Sequence, residues 1–441
     1  MSRALNPVPE ITIAIPQPLA PDTVQESGLD PQFLLRFVLK SVYVTNLETA
    51  EALADYIKLP EMVVHEVLES AKEKRLVEVL GLADSRRSTY RYALTGVGRD
   101  WAVEALSQCS YVGPAPVPIE AYRTQVAAQS ITRDQITPAA MALALGHLVL
   151  PKGTIERLGP AANSAKAMLL YGAPGNGKTS IAMAIGTAFH QSIHLPYCIE
   201  ADGQIIRLFD PSVHARVEDE NEPPRGRAHD PRWLHCHRPV VVTGGELTIE
   251  MLDLAFDPIS KFYEAPAHVK ATGGVFIADD LGRQRVQPHE LINRWILPLE
   301  RRIDFLTLHT GKKIELPFDQ LVVFSTNTSP QAMIDAAGLR RIPYTFHVPV
   351  PTREEYAEIL NLVSEQQGLA LPDEVVPYLL DEFYPKTGVA ISSAHPKFVV
   401  DHVIERCRFS GIAPQITLDL VHDAVENLVL EGEPPPVPRR Q

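Results

Sequence analysis

The run Gly172-Ala173-Pro174-Gly175-Asn176-Gly177-Lys178-Thr179 carries the strongest chemical signal in the chain. Glycines at 172, 175 and 177 let successive backbone amides turn inward around a polyphosphate, and a helix opening at Lys178 adds the partial positive charge of its N-terminus. Lys178 has the reach to meet the terminal phosphates, and the Thr179 hydroxyl can ligate Mg2+. Such a loop needs a strand before it and a helix after it. Residues 167–171 form a short apolar strand and Ile181-Ala182-Met183-Ala184-Ile185 a helix, so both are present. Gly172, Pro174, Gly175, Asn176, Gly177, Lys178, Thr179 and the following Ser180 are therefore expected to hold ATP.

Hydrolysis asks for more: one carboxylate for the metal and one to polarise the attacking water. Residues 274–280 form an apolar strand that ends on Asp279 and Asp280. Asp279 is expected to bind Mg2+ and Asp280 to act on the water. A third strand, 321–326, ends on Asn327, which can contact the γ-phosphate and the same water. These groups must be carried by a common frame. Strands at 167–171, 239–243, 275–278 and 321–326 alternate with helices, which predicts an α/β fold with a parallel sheet wrapped by helices. Beyond residue 352 the chain reads as helical, opened by a capping box of Thr352 and Glu355.

With these residues in place, residues 150 to about 430 resemble an AAA+ ATPase. The match rests on residues 172–179 as that family's Walker A loop, 275–280 as Walker B and Asn327 as sensor 1. The resemblance implies an AAA+ P-loop parallel sheet with a helical lid. Gly338-Leu339-Arg340-Arg341-Ile342-Pro343 fits the position of the family's arginine finger, which reaches the ATP of a neighbouring subunit and so implies a homo-oligomeric ring, most often a hexamer. Either Arg340 or Arg341 could be that finger, with Arg341 slightly favoured. The family's Walker B usually ends in Asp-Glu; the Asp279-Asp280 ending is also seen in replication initiators and helicase loaders. Lys397 stands near the family's sensor 2 arginine, where it could meet the γ-phosphate as a point charge only. Residues 304–318 read as a hairpin just before the sensor 1 strand, similar to the pre-sensor-1 hairpin that commonly faces a central pore. Phe262 and Tyr263 are candidates for an aromatic pore loop, against the commoner reading of such a pair as core.

Residues 193–238 form an unusually long insertion, with a strand pair about the Asp202-Gly203 turn and a polar loop from 218 to 230. A partner-binding or pore element is expected there. His235-Cys236-His237, with His229 nearby, offers no four-ligand zinc spacing and is read as structural.

Residues 30–110 read as a helix, a helix–turn–helix with Val63, Val64, Val67 and Leu68 on one stripe, and two alternating strands flanking a turn with Arg86 and Arg87. This resembles a winged-helix domain, and Tyr92-Ala93-Leu94-Thr95-Gly96-Val97-Gly98-Arg99 looks like the close of many bacterial ones. Between residues 31 and 106 ten basic side chains face eleven acidic ones, and the helix that would read DNA carries Glu61, Glu66, Glu69 and Glu73. Phosphates would meet these unfavourably. Docking of a protein substrate or adaptor is the leading use of this domain and DNA binding the weaker alternative.

The remaining organisation follows from composition. Residues 1–29 are proline-bearing and read as an extended or disordered tail, whose Ile11-Thr12-Ile13-Ala14-Ile15 run could add a strand to a neighbouring sheet. Residues 111–149 read as a stiff proline-rich linker and entry helix, 150–350 as the ATPase α/β domain, 351–431 as the lid and 432–441 as a tail. A net charge of −13 over 441 residues argues against broad adhesion to nucleic acid or anionic membranes. The longest apolar run, 139–150, is too short to insert in a membrane. Four scattered cysteines suit a reducing cytoplasm. The leading reading is a ring that remodels or threads protein, with a DNA-acting loader or initiator as the alternative and a low-turnover nucleotide switch third.

Overall fold

The computed structural model describes residues 15–84, 89–217 and 229–429. Residues 11–14 of the isoleucine run, the Arg86–Arg87 turn, most of the 218–230 loop and the 432–441 tail lie outside the described residues.

Five parallel strands form the central sheet: β1 (Met168–Tyr171), β2 (Val240–Thr243), β3 (Val275–Ala278), β4 (Leu321–Thr326) and β5 (Tyr344–His347). Their order across the sheet is β5-β1-β4-β3-β2. Parallel neighbours require crossovers that cover both faces, and the central strands are accordingly apolar throughout. Alternate residues enter two cores. Val275, Ile277, Leu321 and Val323 pack with Ile181, Ala182 and Ile185 of the helix Lys178–Thr187. Phe276, Ala278, Val322 and Phe324 face the other way, onto the fully buried Trp295. Gly186 lies where a Cβ would come within 2.4 Å of Val240, so this helix can approach the sheet only without a side chain there.

The register decides where the chemistry sits. Ala278 pairs with Thr243 on one side and Phe324 on the other, while Thr326 and His347 both pair with Tyr171. The carboxyl ends of all five strands thus fall along one edge, the usual location of ligand sites in open parallel sheets. A helical unit follows, built on the helices Arg353–Gln366, His395–Phe409 and Leu418–Glu426 around Tyr356, Leu360, Val403 and Val421. Thr352 and Glu355 close the capping box, with Glu355 N–H donating to the Thr352 hydroxyl and Thr352 N–H to the Glu355 carboxylate.

At the N-terminal end the helices Pro31–Thr45, Ala50–Ile57 and Glu61–Glu73 pack with the antiparallel pair Val77–Asp84 and Thr89–Leu94 and with the helix Gly96–Gln108. Val63, Val64, Val67 and Leu68 are all buried, as their spacing requires. The outward ridge of that helix bears Met62, Glu66, Glu69 and Glu73.

Three boundaries differ from the sequence reading. Residues 15–29 follow an extended, turn-bearing path but are held in place. Val24 and Leu29 are buried in the N-terminal core, Val24 N–H donates to the Glu66 carboxylate at 2.8 Å, and Arg232 donates to the Ser27 carbonyl. Nor is the proline-rich stretch after residue 111 a free spacer. Val117–Pro118 is the edge of a second, five-stranded sheet ordered Val117–Pro118, Cys198–Ala201, Gln204–Arg207, Tyr263–Glu264, Ala255–Phe256. Ala115 N–H reaches back to Ile57, and Tyr111 packs on Phe37 and Phe262. The 193–238 insertion is likewise not self-contained. Its strands Cys198–Ala201 and Gln204–Arg207 belong to that sheet, Ile193–Pro196 pairs with Trp233–Cys236, and Ile199, Ile206 and Trp233 share a core with Tyr122, Val126, Leu306 and Leu316. Apolar residues on several short, distant segments can be buried only by pooling them, and this sheet is where they meet.

The hairpin Ile303–Thr307 and Lys313–Pro317 turns about Gly311, whose φ of +84° suits glycine. One face of it is packed in that shared core, and Asp304 is gripped by Arg294 at 2.7 and 3.0 Å and by His268 at 2.9 Å. Tyr263 is 1% exposed and hydrogen-bonds His309, while Phe262 packs on Tyr111. In this fold the pair is core, not an exposed pore loop. His194 stacks between His229 and His235, and among the described residues no group of three or more His, Cys, Asp or Glu could hold a metal. No described helix is long and apolar enough to cross a membrane.

Burial pushes the imidazoles of His214, His268 and His395 below their ordinary value. Each is neutral in the fold and protonates more readily once unfolded. Its contribution to stability is therefore complete above the unfolded value of about 6.5 and is lost as pH falls toward the depressed folded one. The melting temperature is expected to fall between about pH 7.5 and about pH 5.5, before ordinary carboxylates titrate. Calorimetry across that range checks this, and a flat profile would contradict the burial assigned to these rings.

Candidate active site

The phosphate-loop glycines take up backbone geometry that other residues rarely adopt. Gly175 and Gly177 have φ of +74° and +81°, and a Cβ on Gly172 would lie 2.1 Å from the Val348 carbonyl oxygen. The loop leaves β1 at Tyr171 and enters its helix at Lys178, which points the helix N-terminus into the space above the strand ends. Lys178 Nζ donates to the carbonyls of Gly172 at 3.1 Å and Ala173 at 2.8 Å. Burial lowers its pKa, opposed by the nearby charges of Asp280 and Asp279.

The two carboxylates come from the end of β3. Thr179 Oγ1 donates to Asp279 Oδ2 at 2.7 Å, so loop and strand meet although 100 residues separate them. Ser325, buried in β4, donates its hydroxyl to Asp279 Oδ1. Asp280 has φ of +52°, a left-handed backbone that is costly for a residue other than glycine, and it turns away from the strand line. Asn327 Nδ2, from the end of β4, donates to Asp280 Oδ1 at 2.8 Å. Lys178, Thr179, Asp279, Asp280 and Asn327 are thus brought together in one place.

They line a cleft of about 860 Å³ together with Pro174, Gly175, Asn176, Gly177 and Ser180. One end is polar. The other is apolar, walled by Leu148, Val149 and Leu150 from the entry segment and by Ile359, Leu362 and Val363 from the helical unit. A phosphate cradle at one end and an apolar slot at the other suit a nucleotide. The oxygens that Thr179 and Asp279 bring to the cleft are hard donors, which fit Mg2+.

Of the remaining expected residues, Lys397 lines the same cleft and the two arginines do not. Neither Arg340 nor Arg341 is among the cleft-lining residues. Arg341 Nε pairs with Glu300 at 3.0 Å, whereas Arg340 is exposed on the turn after the short helix Ala336–Leu339. Arg341, the slightly favoured of the two from sequence, is thus the one engaged in an ion pair. Lys397 reaches the cleft rim, but its ammonium pairs with Asp401 at 2.5 Å, one helical turn away.

Several participants escaped the sequence reading. Ser325 was visible only as a polar residue inside an apolar strand. Arg283 lines the cleft four residues beyond Asp279. Ser392 Oγ donates to the Gly175 carbonyl at 3.0 Å, and Ser393 N–H donates to Asn176 Oδ1 at 3.0 Å, so the helical unit touches the phosphate loop directly.

Residues 352–427 match the family profile described as a domain of unknown function (DUF8689). No curated protein sequence matches the chain. Among solved structures, NtrX from Brucella abortus in complex with ATP overlaps at 15% identity and a TM-score of 0.37, over 64% of this chain and 54% of that one. This chain therefore spans about half the length of that NtrX chain. The RuvB Holliday junction branch migration motor from Thermotoga maritima overlaps at 12% identity and a TM-score of 0.35, over 67% of this chain and 73% of that one. Overlaps this loose add nothing to what the geometry of the site already gives.

Proposed function

We propose that this chain is a Mg2+-dependent AAA+ ATP hydrolase that works as a homo-oligomeric ring and remodels or threads a protein or protein assembly. The contact between the Thr179 hydroxyl and the Asp279 carboxylate carries the reading, with the Asp280–Asn327 pair beside it. A structural turn has no use for these groups in one open cleft; phosphoryl transfer needs each of them.

The backbone amides from Gly172 to Gly177 and the Lys178 ammonium hold the phosphates. Thr179 and Asp279 would hold Mg2+, which would supply positive charge to offset that of the phosphates. Asp280, oriented by Asn327, accepts a proton from the attacking water. As the water oxygen bonds to the γ-phosphorus, the bond to the bridging oxygen breaks, leaving ADP and inorganic phosphate. Arg340 of a neighbouring copy supplies positive charge to the same transition state.

The N-terminal unit serves as a winged-helix-like docking module for a protein substrate or adaptor, together with the second sheet to which the 193–238 insertion contributes. The acidic ridge Glu66, Glu69 and Glu73 favours a protein partner over DNA, since each carboxylate would oppose a phosphate. Phosphate release measured against protein concentration, with mass measurement in ATP, tests the ring. Turnover per subunit is expected to rise steeply as oligomers form. Constant turnover from a monomer would sink this part of the reading.

A further inference from the structure

A γ-phosphate needs a cation beyond the loop lysine, and Lys397 was the sequence candidate for it. The geometry points elsewhere: we propose that Arg283 is the γ-phosphate-contacting cation supplied by the same subunit that binds the nucleotide. This inference rests on the ATP-site reading given above.

Arg283 lines the cleft alongside Asp279, Asp280 and Asn327. Its guanidinium has no ion pair or side-chain hydrogen bond among the described residues, while Lys397 is already paired with Asp401. The backbone that carries it is fixed. Arg283 N–H donates to the Asp280 carbonyl at 2.9 Å, closing a tight turn directly after the water-polarising carboxylate. Gln284 clamps this turn with both ends of its amide, donating Nε2–H to the Asp279 carbonyl at 2.5 Å and accepting from Gly282 N–H at 2.9 Å. Gly282, with φ of +101°, takes a backbone conformation that suits glycine, and a Cβ there would meet Met333 Sδ at 2.8 Å. Arg283 is exposed and carried on this turn at the cleft, so its guanidinium is free to offer a planar fork to two phosphate oxygens, which an ammonium cannot do. It also cancels part of the carboxylate charge that would otherwise oppose a nucleoside triphosphate.

The test compares ATP and ADP affinity, by calorimetry on the full chain, for wild type, Arg283→Ala, Arg283→Lys, Gln284→Ala and Lys397→Ala. Arg283→Ala is expected to weaken ATP binding about tenfold or more while leaving ADP binding within about twofold, and to cut turnover by about 10²-fold. Arg283→Lys should recover part of the ATP preference. A merely structural role would weaken both nucleotides together, as Gln284→Ala should, and lysine would not restore the preference. Mixing Arg283→Ala with Lys178→Ala subunits should give no recovery of turnover, because a cation acting within its own subunit cannot be lent to a neighbour. An unchanged ATP-to-ADP ratio in Arg283→Ala, loss of that ratio in Lys397→Ala instead, or recovery on mixing would each overturn the assignment. Failure of wild type to bind ATP would instead defeat the ATP-site reading itself.

Discussion

Asp280→Asn is expected to bind ATP about as tightly as wild type and to hydrolyse it about 10² to 10⁴ times more slowly, the usual span for loss of a general base. The substitution keeps the shape of the side chain and can keep the contact with Asn327 Nδ2, which is 2.8 Å from Asp280 Oδ1. It removes only the capacity to take a proton. Binding should survive, since in the proposed mechanism the 172–179 backbone and Lys178 would cradle the phosphates and Thr179 and Asp279, hydrogen-bonded at 2.7 Å, would hold the metal. Single-turnover phosphate release together with equilibrium ATP binding checks both halves. Undiminished hydrolysis would mean that another group handles the water, and the left-handed backbone at Asp280 would need a different explanation. Lost binding would mean that the Asp280 charge is part of the cradle.

Arg340→Ala carries the second large effect, a fall in turnover of about 10³-fold with ATP affinity little changed. The reasoning is positional. Arg340 is exposed and outside the cleft of its own chain, so a role in chemistry can be exercised only on a neighbour. Arg341 is tethered to Glu300 at 3.0 Å, and its replacement should reduce turnover far less than that of Arg340. Equal losses from the two substitutions would show that the turn acts as a unit. A larger loss from Arg341→Ala would return the finger to the residue favoured by sequence alone.

The parts of this site that could be read from sequence are those encoded locally. An apolar strand, a glycine-bearing loop and a helix start lie within 20 residues of one another, and each dictates its own backbone; the acids at 279 and 280 follow their strand directly. Asn327 was legible for the same reason, as the residue directly after the strand Leu321–Thr326. Ser392 and Ser393 were not, because they meet the phosphate loop across 217 residues and nothing in their neighbours indicates that partner. Arg283 was hidden by its turn, since an arginine among polar residues reads as solvated surface until the path of Gly282 and Gln284 is known. The second sheet was obscured by strand length. Val117–Pro118, Ala255–Phe256 and Tyr263–Glu264 have two residues each, too few to show an alternating period. The first of these therefore read as linker, and the aromatic pair Phe262–Tyr263 as core by the commoner reading, with a pore loop as the alternative.

That sheet also changes how the N-terminal unit relates to the ATPase part. Cys198 and Ile205 of the insertion are buried in the N-terminal core, and Ser110 and Lys261 add hydrogen bonds across the same junction. The second sheet is therefore packed directly against the N-terminal unit. The hairpin that shares its core is in turn held by Arg294, on the helix that follows the Asp280 turn.

If ATP is hydrolysed at a cleft that one subunit builds and its neighbour completes, two inactive variants should restore each other's activity. Mixing two inactive variants tests it most directly. Lys178→Ala should fail to hold ATP but still present Arg340, and Arg340→Ala should hold ATP but lack the charge its neighbour needs. Phosphate release from each alone should be near background, and an equimolar mixture should regain a substantial fraction of wild-type turnover. Continued inactivity of the mixture, in rings shown by mass to contain both variants, would contradict the account.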